Sequence, residues 1–240
     1  GRRLISRLAP EPGAAVPGRD NYQLVRQLGA SHHNETWLAR QPRTGDQRVY
    51  KFALDGERLA DLKREVTLYR VLRGALGEGD HGFVRVIDWN FEQLPYWLEC
   101  EYAGVNLMEW ATEPVSEHTR LATASRELRL HLLLMAADAV AAAHGVGVLH
   151  KDLKPGNILV EPVAGHASDV KQPAWRVRLT DFGSGRLLAR RVRDADGELR
   201  LIFRTPNWED FVHLTCTEIR HFGAGSVQIM RRLRSLLENL

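Results

Sequence analysis

Three polar side chains, those of Asp152, Lys154 and Asn157, lie close together in one short run of the sequence. A carboxylate can accept the proton of a hydroxyl group, an ammonium group can neutralise a phosphate, and an amide oxygen can bind a magnesium ion. A second carboxylate, that of Asp181, comes directly after a strand-like run. This set of groups is suited to the transfer of a phosphoryl group to a hydroxyl.

Each part of this pattern also has a simpler interpretation. The Asp-Phe-Gly triplet at 181–183 is, taken alone, a common turn at the end of a strand. The Lys-Pro-Gly-Asn stretch at 154–157 could likewise be only a turn, since proline and glycine set the backbone angles there. The two stretches together, in this order along the chain, favour the chemical interpretation.

The run His-Lys-Asp-Leu-Lys-Pro-Gly-Asn at 150–157 and the Asp-Phe-Gly triplet resemble two motifs of the protein kinase superfamily, in particular of its bacterial serine/threonine kinases. The resemblance implies ATP and Mg²⁺ as cofactors. Asp152 would orient the attacking hydroxyl, and Lys154 would steady the transferring phosphoryl group. Asn157 and Asp181 would hold magnesium.

The same resemblance implies a lysine on a strand and a glutamate on the following helix. Lys51 lies in the stretch 48–54, whose alternation predicts a strand, and it matches the lysine that binds the α- and β-phosphates. Apolar residues spaced by three or four along 57–72 predict an amphipathic helix. Glu65, on that helix, matches the glutamate that pairs with the lysine. Taken alone, either residue would be an ordinary solvated side chain.

The expected nucleotide lid departs from the family pattern, because only its first glycine is kept. The resemblance places Gly29 and Ser31 against the nucleotide, and a tight turn remains possible because serine is small. Further along, it places Cys100 at the gatekeeper position and implies that backbone groups of Glu101 and Ala103 bind the adenine edge. Cys100 by itself is interpreted as a small buried hydrophobe.

These placements imply an α+β chain with the two-lobe fold of protein kinases. We expect residues 1–20 to form a flexible leader and residues 21–104 to form the N-lobe, an antiparallel sheet of five strands with one helix. Residues 105–188 would form an incomplete helical C-lobe that carries the catalytic loop and the Asp-Phe-Gly triplet. It would include a long helix at 126–145, which glycines end. Residues 189–240 would form an atypical tail of one strand and two helices.

The composition is that of a compact globular protein. The chain has 240 residues, 44% of them hydrophobic and 26% charged, which is enough to bury a substantial core. Two cysteines give no disulfide framework and suit a reducing compartment, so we expect a cytoplasmic protein. The net charge of +3 is too small to imply nucleic-acid binding. The apolar stretch 130–149 contains Asp138 and two histidines, which predicts a buried helix and no transmembrane segment.

The tail differs from the kinase family, because no Ala-Pro-Glu sequence ends an activation segment. The stretch 204–236 is loosely similar to the C-terminal part of an uncharacterised family of bacterial membrane proteins. The resemblance to kinases therefore implies a domain that is truncated after the Asp-Phe-Gly region.

Two classes of function remain open. The first is an ATP- and Mg²⁺-dependent protein kinase that transfers the γ-phosphoryl group to serine or threonine hydroxyls of a protein substrate that the sequence does not identify. The second is a truncated pseudokinase that acts as a nucleotide-binding or interaction module; a small-molecule kinase is a further variant. The enzyme is favoured because the chain keeps the four anchors that pseudokinases tend to lose. They are Lys51, Asp152, Asn157 and Asp181.

Overall fold

The structure is a computed structural model that combines helices and antiparallel strands. It describes three stretches of the chain: residues 10–28, 35–163 and 175–187. The chain divides into two compact units. The first unit comprises Gly1–Tyr69 and Val84–Tyr102, and the second comprises Arg70–Phe83 and Ala103–Leu240. The mixed helix and strand content that the sequence predicted is therefore present.

The first unit is built on a curled antiparallel sheet of six strands. These are β1 (Ala15–Val16), β2 (Arg19–Gln27), β3 (Glu35–Arg40), β4 (Gln47–Ala53), β5 (Val86–Asn90) and β6 (Tyr96–Glu101). Their order across the sheet is β1-β2-β3-β4-β6-β5. β5 is thus an edge strand, and β4 lies near the middle, between β3 and β6. Five of these strands were predicted from the sequence, and β1 was not.

The structure of residues 10–20 differs from the prediction that residues 1–20 form a flexible leader. β1 and the start of β2 form a hairpin, and Val16 is fully buried. The indole Nε1 of Trp97 donates a hydrogen bond of 3.0 Å to the carbonyl of Pro17. The prolines and glycines of this stretch favour a flexible segment by composition, but contacts with a strand far along the chain hold it in place.

The two faces of this sheet carry different side chains, because successive residues of a strand alternate in direction. We call one the aromatic face. Its buried core consists of Val16, Tyr22, Leu24, Trp37, Ala39, Tyr50, Phe52 and Trp97. The opposite face, which we call the lysine face, carries Val49 and Lys51 of β4. β4 is buried on both faces from Val49 to Ala53, and its charged residues Arg48 and Lys51 lie on opposite faces.

Helix α1 (Gly56–Leu76) follows β4 and is longer than the predicted 57–72. It begins after Asp55, whose carboxylate accepts a 2.7 Å hydrogen bond from the backbone N–H of Arg58. Three of its buried apolar residues, Leu62, Val66 and Leu72, belong to the stripe that the spacing predicted. Leu68 is also buried and was not predicted, whereas Leu59 and Tyr69 of the predicted stripe are half-buried.

The second unit combines helices with short strands. The helices are α2 (Leu107–Thr112), α3 (Arg120–Thr123) and α4 (Arg126–Gly145). The strands are β7 (Val105–Asn106), β8 (Pro114–Val115), β9 (His118–Thr119), β10 (Val148–Leu149), β11 (Ile158–Pro162), β12 (Trp175–Leu179) and β13 (Arg186–Leu187). α4 has the predicted bounds and is capped by Ser125, whose hydroxyl accepts from the N–H of Leu128 at 3.1 Å. The hairpin of β8 and β9 was not predicted.

A small sheet of β7, β11 and β12 supports the loops of the second unit, with β11 in the middle. α4, whose buried residues include Leu132 and three alanines, packs against β12. β10 pairs with β13, so the segments before and after the two chemical motifs are joined. Across the described residues, no helix is both long enough and apolar enough to cross a membrane.

Gly104 lies where the chain enters the second unit. Its φ is +90°, a conformation that strains other residues, and a Cβ atom there would lie 2.2 Å from the carbonyl oxygen of Val160. The backbone before β7 therefore packs directly on β11. Only glycine fits this position.

Candidate functional site

The first unit brings Lys51 and Glu65 together. The ammonium Nζ of Lys51 lies 2.6 Å and 2.9 Å from the two carboxylate oxygens of Glu65, so both oxygens accept from it. Each side chain is only 6% exposed. The strand and helix that the sequence predicted thus place the two residues in the ion pair that the resemblance implied.

This ion pair is a fixed part of the first unit. A buried charge that loses its partner is strongly unfavourable, because the protein interior solvates it poorly. Lys51 is held by β3 and β6 on either side of its strand, and Glu65 lies among the buried residues of α1. The position of the lysine ammonium is therefore set by the fold.

Cys100 lies opposite Val49 in the pairing of β4 with β6, and it is 1% exposed. Burial raises the pKa of its thiol, although nearby Lys51 opposes the shift. A thiol kept protonated in this way is a poor nucleophile. Cys100 therefore serves as a small apolar residue of the lysine face.

Glu101 and Ala103, the residues expected at the adenine edge, flank the point where the two units meet along the chain. The backbone N–H of Glu101 donates to the carbonyl of Arg85 at 3.0 Å. Its side chain accepts from the N–H of Arg85 at 2.9 Å. These bonds hold the end of β6. Ala103 is 1% exposed and begins the second unit.

In the second unit, His150 organises the loop that follows β10. Its Nε2 donates to the carbonyl of Thr180 at 2.8 Å, and its Nδ1 accepts from the N–H of Asp152 at 3.3 Å. This arrangement requires the neutral ring with its hydrogen on Nε2. Its ring centre lies 4.5 Å from that of Phe182. A single buried histidine thus connects the two motifs.

Asp152, Lys154 and Asn157 form a polar cluster on this loop. The ammonium of Lys154 lies 2.7 Å from Oδ2 of Asp152. The amide Nδ2 of Asn157 donates to the carbonyl of Asp152 at 2.8 Å and to Oδ2 at 3.1 Å. The Asp152 carboxylate is therefore oriented by two donors while its side chain remains 25% exposed. It is both fixed and accessible, as a group that accepts a proton must be.

Asp181 has a strained backbone. Its φ of 67° and ψ of 61° lie in the left-handed region, which residues other than glycine seldom adopt. The N–H of the preceding Thr180 donates to the carbonyl of Asn157 at 3.0 Å, which joins the Asp-Phe-Gly segment to the loop that contains Asp152. Strain of this kind persists where the surroundings impose it, and it is often found at functional sites.

The oxygen atoms of Asn157 and Asp181 suit a magnesium ion. Because the amide nitrogen of Asn157 is used in bonds to Asp152, its oxygen is the atom that a metal would contact. In the described part of the chain, no three or more His, Cys, Asp or Glu side chains are grouped to hold a metal ion by themselves. A magnesium ion that arrives with a nucleotide needs only one or two protein oxygens, since phosphates and water supply the rest.

The structure thus forms two groups of the predicted residues: Lys51 with Glu65 in the first unit, and the cluster of Asp152 in the second. Gly29 and Ser31 of the expected lid lie outside the described residues. So does the tail at 189–240. His150 was given no role from the sequence, although its place at the start of the run 150–157 was a signal for a structural role.

The chain is similar to serine/threonine protein kinases over about 70% of its length. It is 29% identical over 168 residues to serine/threonine-protein kinase MRCK gamma of Homo sapiens, which covers 69% of this chain and 10% of that protein. It is 27% identical over 168 residues to myotonin-protein kinase of Mus musculus, covering 69% of this chain and 24% of that protein. With serine/threonine-protein kinase PknA of Mycobacterium tuberculosis the identity is 26% over 182 residues, covering 73% and 37% respectively. The chain therefore spans between a tenth and just over a third of the length of these relatives.

The end of the chain is similar to a different family. Residues 177–239 match a family described as "Predicted membrane protein (DUF2254)". The resemblance of the tail to a membrane-protein family is thus confirmed, but the match starts at residue 177 and not at 204. It begins within β12 and includes the Asp-Phe-Gly triplet.

Proposed function

We propose that this chain is an ATP- and Mg²⁺-dependent protein kinase that transfers the γ-phosphoryl group of ATP to serine or threonine hydroxyls. The observation that carries the proposal is the carboxylate of Asp152, which two donors orient and which remains accessible. The buried pair of Lys51 with Glu65 supports it, as does the similarity to serine/threonine kinases.

In the proposed reaction, the hydroxyl oxygen of the substrate attacks the γ-phosphorus of ATP. The bond from the γ-phosphorus to the bridging oxygen of ADP breaks, and the hydroxyl proton passes to Asp152. Lys154 neutralises charge on the transferring group, and Lys51 binds the α- and β-phosphates. Magnesium, bound by Asn157 and Asp181, would neutralise the phosphate charge.

The proposed α+β architecture is the two-lobe kinase fold. The first unit would serve as the N-lobe, with Lys51 as its phosphate ligand and with Gly29, Ser31, Glu101 and Ala103 as further nucleotide contacts. The second unit would serve as an incomplete C-lobe with the catalytic loop. A protein substrate would provide the hydroxyl.

Asp152→Ala tests the enzyme directly. We expect phosphoryl transfer from radiolabelled ATP to serine- and threonine-containing peptides to fall by about 100- to 10,000-fold, because the group that accepts the proton is removed. Binding of Mg-ATP should change little. Glu117→Ala, at an exposed carboxylate of the second unit, is the control and should keep full activity.

A second candidate is a pseudokinase that binds nucleotide without transfer. The match of residues 177–239 to another family favours it, because the segment that would follow the Asp-Phe-Gly triplet in a kinase is then of different origin. Mg-ATP binding without any transfer that depends on Asp152 would contradict the enzyme and support this candidate.

A further inference from the structure

The loop between β1 and β2 lies across the aromatic face of the first unit. Val16 is fully buried there, and the carbonyl of Pro17 accepts from the Trp97 indole at 3.0 Å. The turn is tight because Gly18 has a φ of +77°. Trp97 belongs to β6, which β3 and β4 separate from β2 in the sheet. The hairpin loop therefore reaches over two intervening strands.

Arg19, the first residue of β2, extends this contact by charge. Its Nε lies 3.0 Å from Oε2 of Glu99 on β6, and its guanidinium also pairs with Asp88 on the edge strand β5. It lies over the ring of Trp97, 5.6 Å from the ring centre. Glu99 is only 3% exposed, so it depends on its cationic neighbours. Arg19 thus holds the curled sheet closed across its aromatic face.

A second arginine continues the contacts back to β2. The Nε of Arg48 on β4 lies 3.5 Å from Oε1 of Glu99, and its Nη1 lies 2.6 Å from Oδ1 of Asp46. Asp46 also accepts from the Tyr22 hydroxyl at 2.7 Å. Tyr22 and Arg19 are both on β2, so the contacts form a ring that begins and ends on this strand. We call these five residues the clamp: Arg19, Glu99, Arg48, Asp46 and Tyr22.

The strand beneath the clamp carries Lys51. Tyr50 and Phe52, its neighbours along the chain, are 0% and 2% exposed on the aromatic face. Tyr50 lies opposite Glu99 in the pairing of β4 with β6. On the lysine face, Glu65 holds the ammonium itself. The strand is therefore fixed on one side by the clamp and on the other by the ion pair.

We propose that Arg19 is a positioning residue for Lys51, because it closes the clamp over β4 and so sets where the Lys51 ammonium lies for the phosphates of ATP. The proposal rests on the proposed function, in which Lys51 binds those phosphates. Arg19 acts through the strand, and not by contact with the nucleotide.

The test compares Arg19→Gln and Arg19→Lys with the wild-type chain, and Arg26→Gln is the matched control at an exposed arginine of the same strand. Mg-ATP affinity, transfer at saturating ATP and hydrogen exchange of the β4 and α4 amides are measured. The side-chain signal of Lys51 is followed in spectra with ¹³C-labelled lysine and assigned with Lys51→Arg.

We expect Arg19→Gln to weaken Mg-ATP binding by about tenfold, by analogy with residues that orient the ligands of a metal ion without touching the metal. Turnover at saturating ATP should change less than affinity. Exchange should rise in β4 and not in α4, and the Lys51 signal should shift. Arg19→Lys should recover part of the affinity because it keeps the charge, and Arg26→Gln should resemble the wild type.

The outcomes separate this proposal from the proposed function. Unchanged exchange of β4 and an unchanged Lys51 signal in Arg19→Gln overturn the clamp. Loosening of β4 with unchanged Mg-ATP affinity overturns the positioning role. If the wild type binds no Mg-ATP, the proposed function fails instead, and the Lys51 signal alone then supports or overturns the effect of Arg19 on Lys51.

Discussion

Two lysine–carboxylate pairs of this chain have almost the same length but different surroundings. Nζ of Lys51 lies 2.6 Å from Glu65 in the first unit, and Nζ of Lys154 lies 2.7 Å from Asp152 in the second. The side chains of the first pair are each 6% exposed, whereas those of the second are 47% and 25% exposed. Distance alone does not distinguish the two pairs, and burial does.

The difference in burial indicates different tasks. A buried pair has no water to replace a lost partner, so it holds both groups in one place. An exposed pair is weak and is screened by salt, so either group can leave its partner and bind a ligand instead. We interpret the pair of Lys51 as a fixed support and the pair of Lys154 as an exchangeable one.

The largest expected effect follows from removing one member of the buried pair. Lys51→Met leaves the Glu65 carboxylate without its cation, and we expect the free energy of unfolding to fall by about 3–5 kcal/mol. Urea unfolding followed by circular dichroism measures this change. A loss below about 1 kcal/mol would contradict the interpretation, because the pair would then behave like an exposed one.

The double variant Lys51→Met/Glu65→Leu is the matched control. Replacing both charges by apolar side chains removes the uncompensated carboxylate, so stability should return to within about 1 kcal/mol of the wild type or exceed it. Failure to recover would mean that Lys51→Met acts through packing and not through charge.

An intermediate effect on stability is expected from a buried ionisable group of the second unit, His144. It tests whether burial, and not the unit in which a residue lies, determines the effect of a charge on stability. Burial lowers the pKa of His144 to about 4 from its ordinary 6.5, with a smaller contribution from His150. Below pH 6.5 the unfolded chain binds a proton that the folded chain does not bind until about pH 4. The free energy of unfolding is therefore not reduced by His144 above pH 6.5. It falls by about 3 kcal/mol as the pH falls to 4, because the unfolded chain takes up this proton first.

Urea unfolding at pH 7 and pH 4.5 checks this prediction. His144→Gln should lose less stability between the two values than the wild type does, because it has no proton to bind. His118→Gln, at an exposed histidine of the same unit, should retain the wild-type dependence. Equal pH dependence in all three proteins would show that burial in the second unit does not have this effect.

The smallest effect on stability is expected at the exposed pair. Lys154→Met should change the free energy of unfolding by less than about 1 kcal/mol. Under the proposed function it should nevertheless lower transfer by about 100-fold, since a group that stabilises developing charge is lost. A large loss of stability together with activity would contradict the distinction between the two pairs. The same urea and transfer assays measure both quantities.

Local pattern was sufficient to predict the parts of the site that lie on regular elements. The alternation around Lys51 predicted β4, and helical spacing predicted α1 with Glu65 on it. The bounds of α4 also agreed, and its end was predicted from the terminal glycines. These signals depend on neighbours within a few residues, which a single sequence contains.

Long-range contacts were not predictable in this way. Val16 is buried because Trp97, some eighty residues later, lies beneath its hairpin, and the local sequence contains no sign of that contact. Glu99 is a further example, because a charged residue on a strand is usually solvated. Its burial depends on arginines from two other strands. The available signal was a carboxylate between two apolar residues of β6, Leu98 and Cys100.

The buried position of Cys100 makes this thiol a natural reporter of motion in the first unit. An alkylating reagent can reach it only when the packing over the lysine face opens, so the rate of modification measures how often this opening occurs. Peptide mass spectrometry distinguishes it from Cys216, the other cysteine of the chain. The sheet that holds Lys51 thus contains a natural thiol whose rate of modification can be measured without an introduced label.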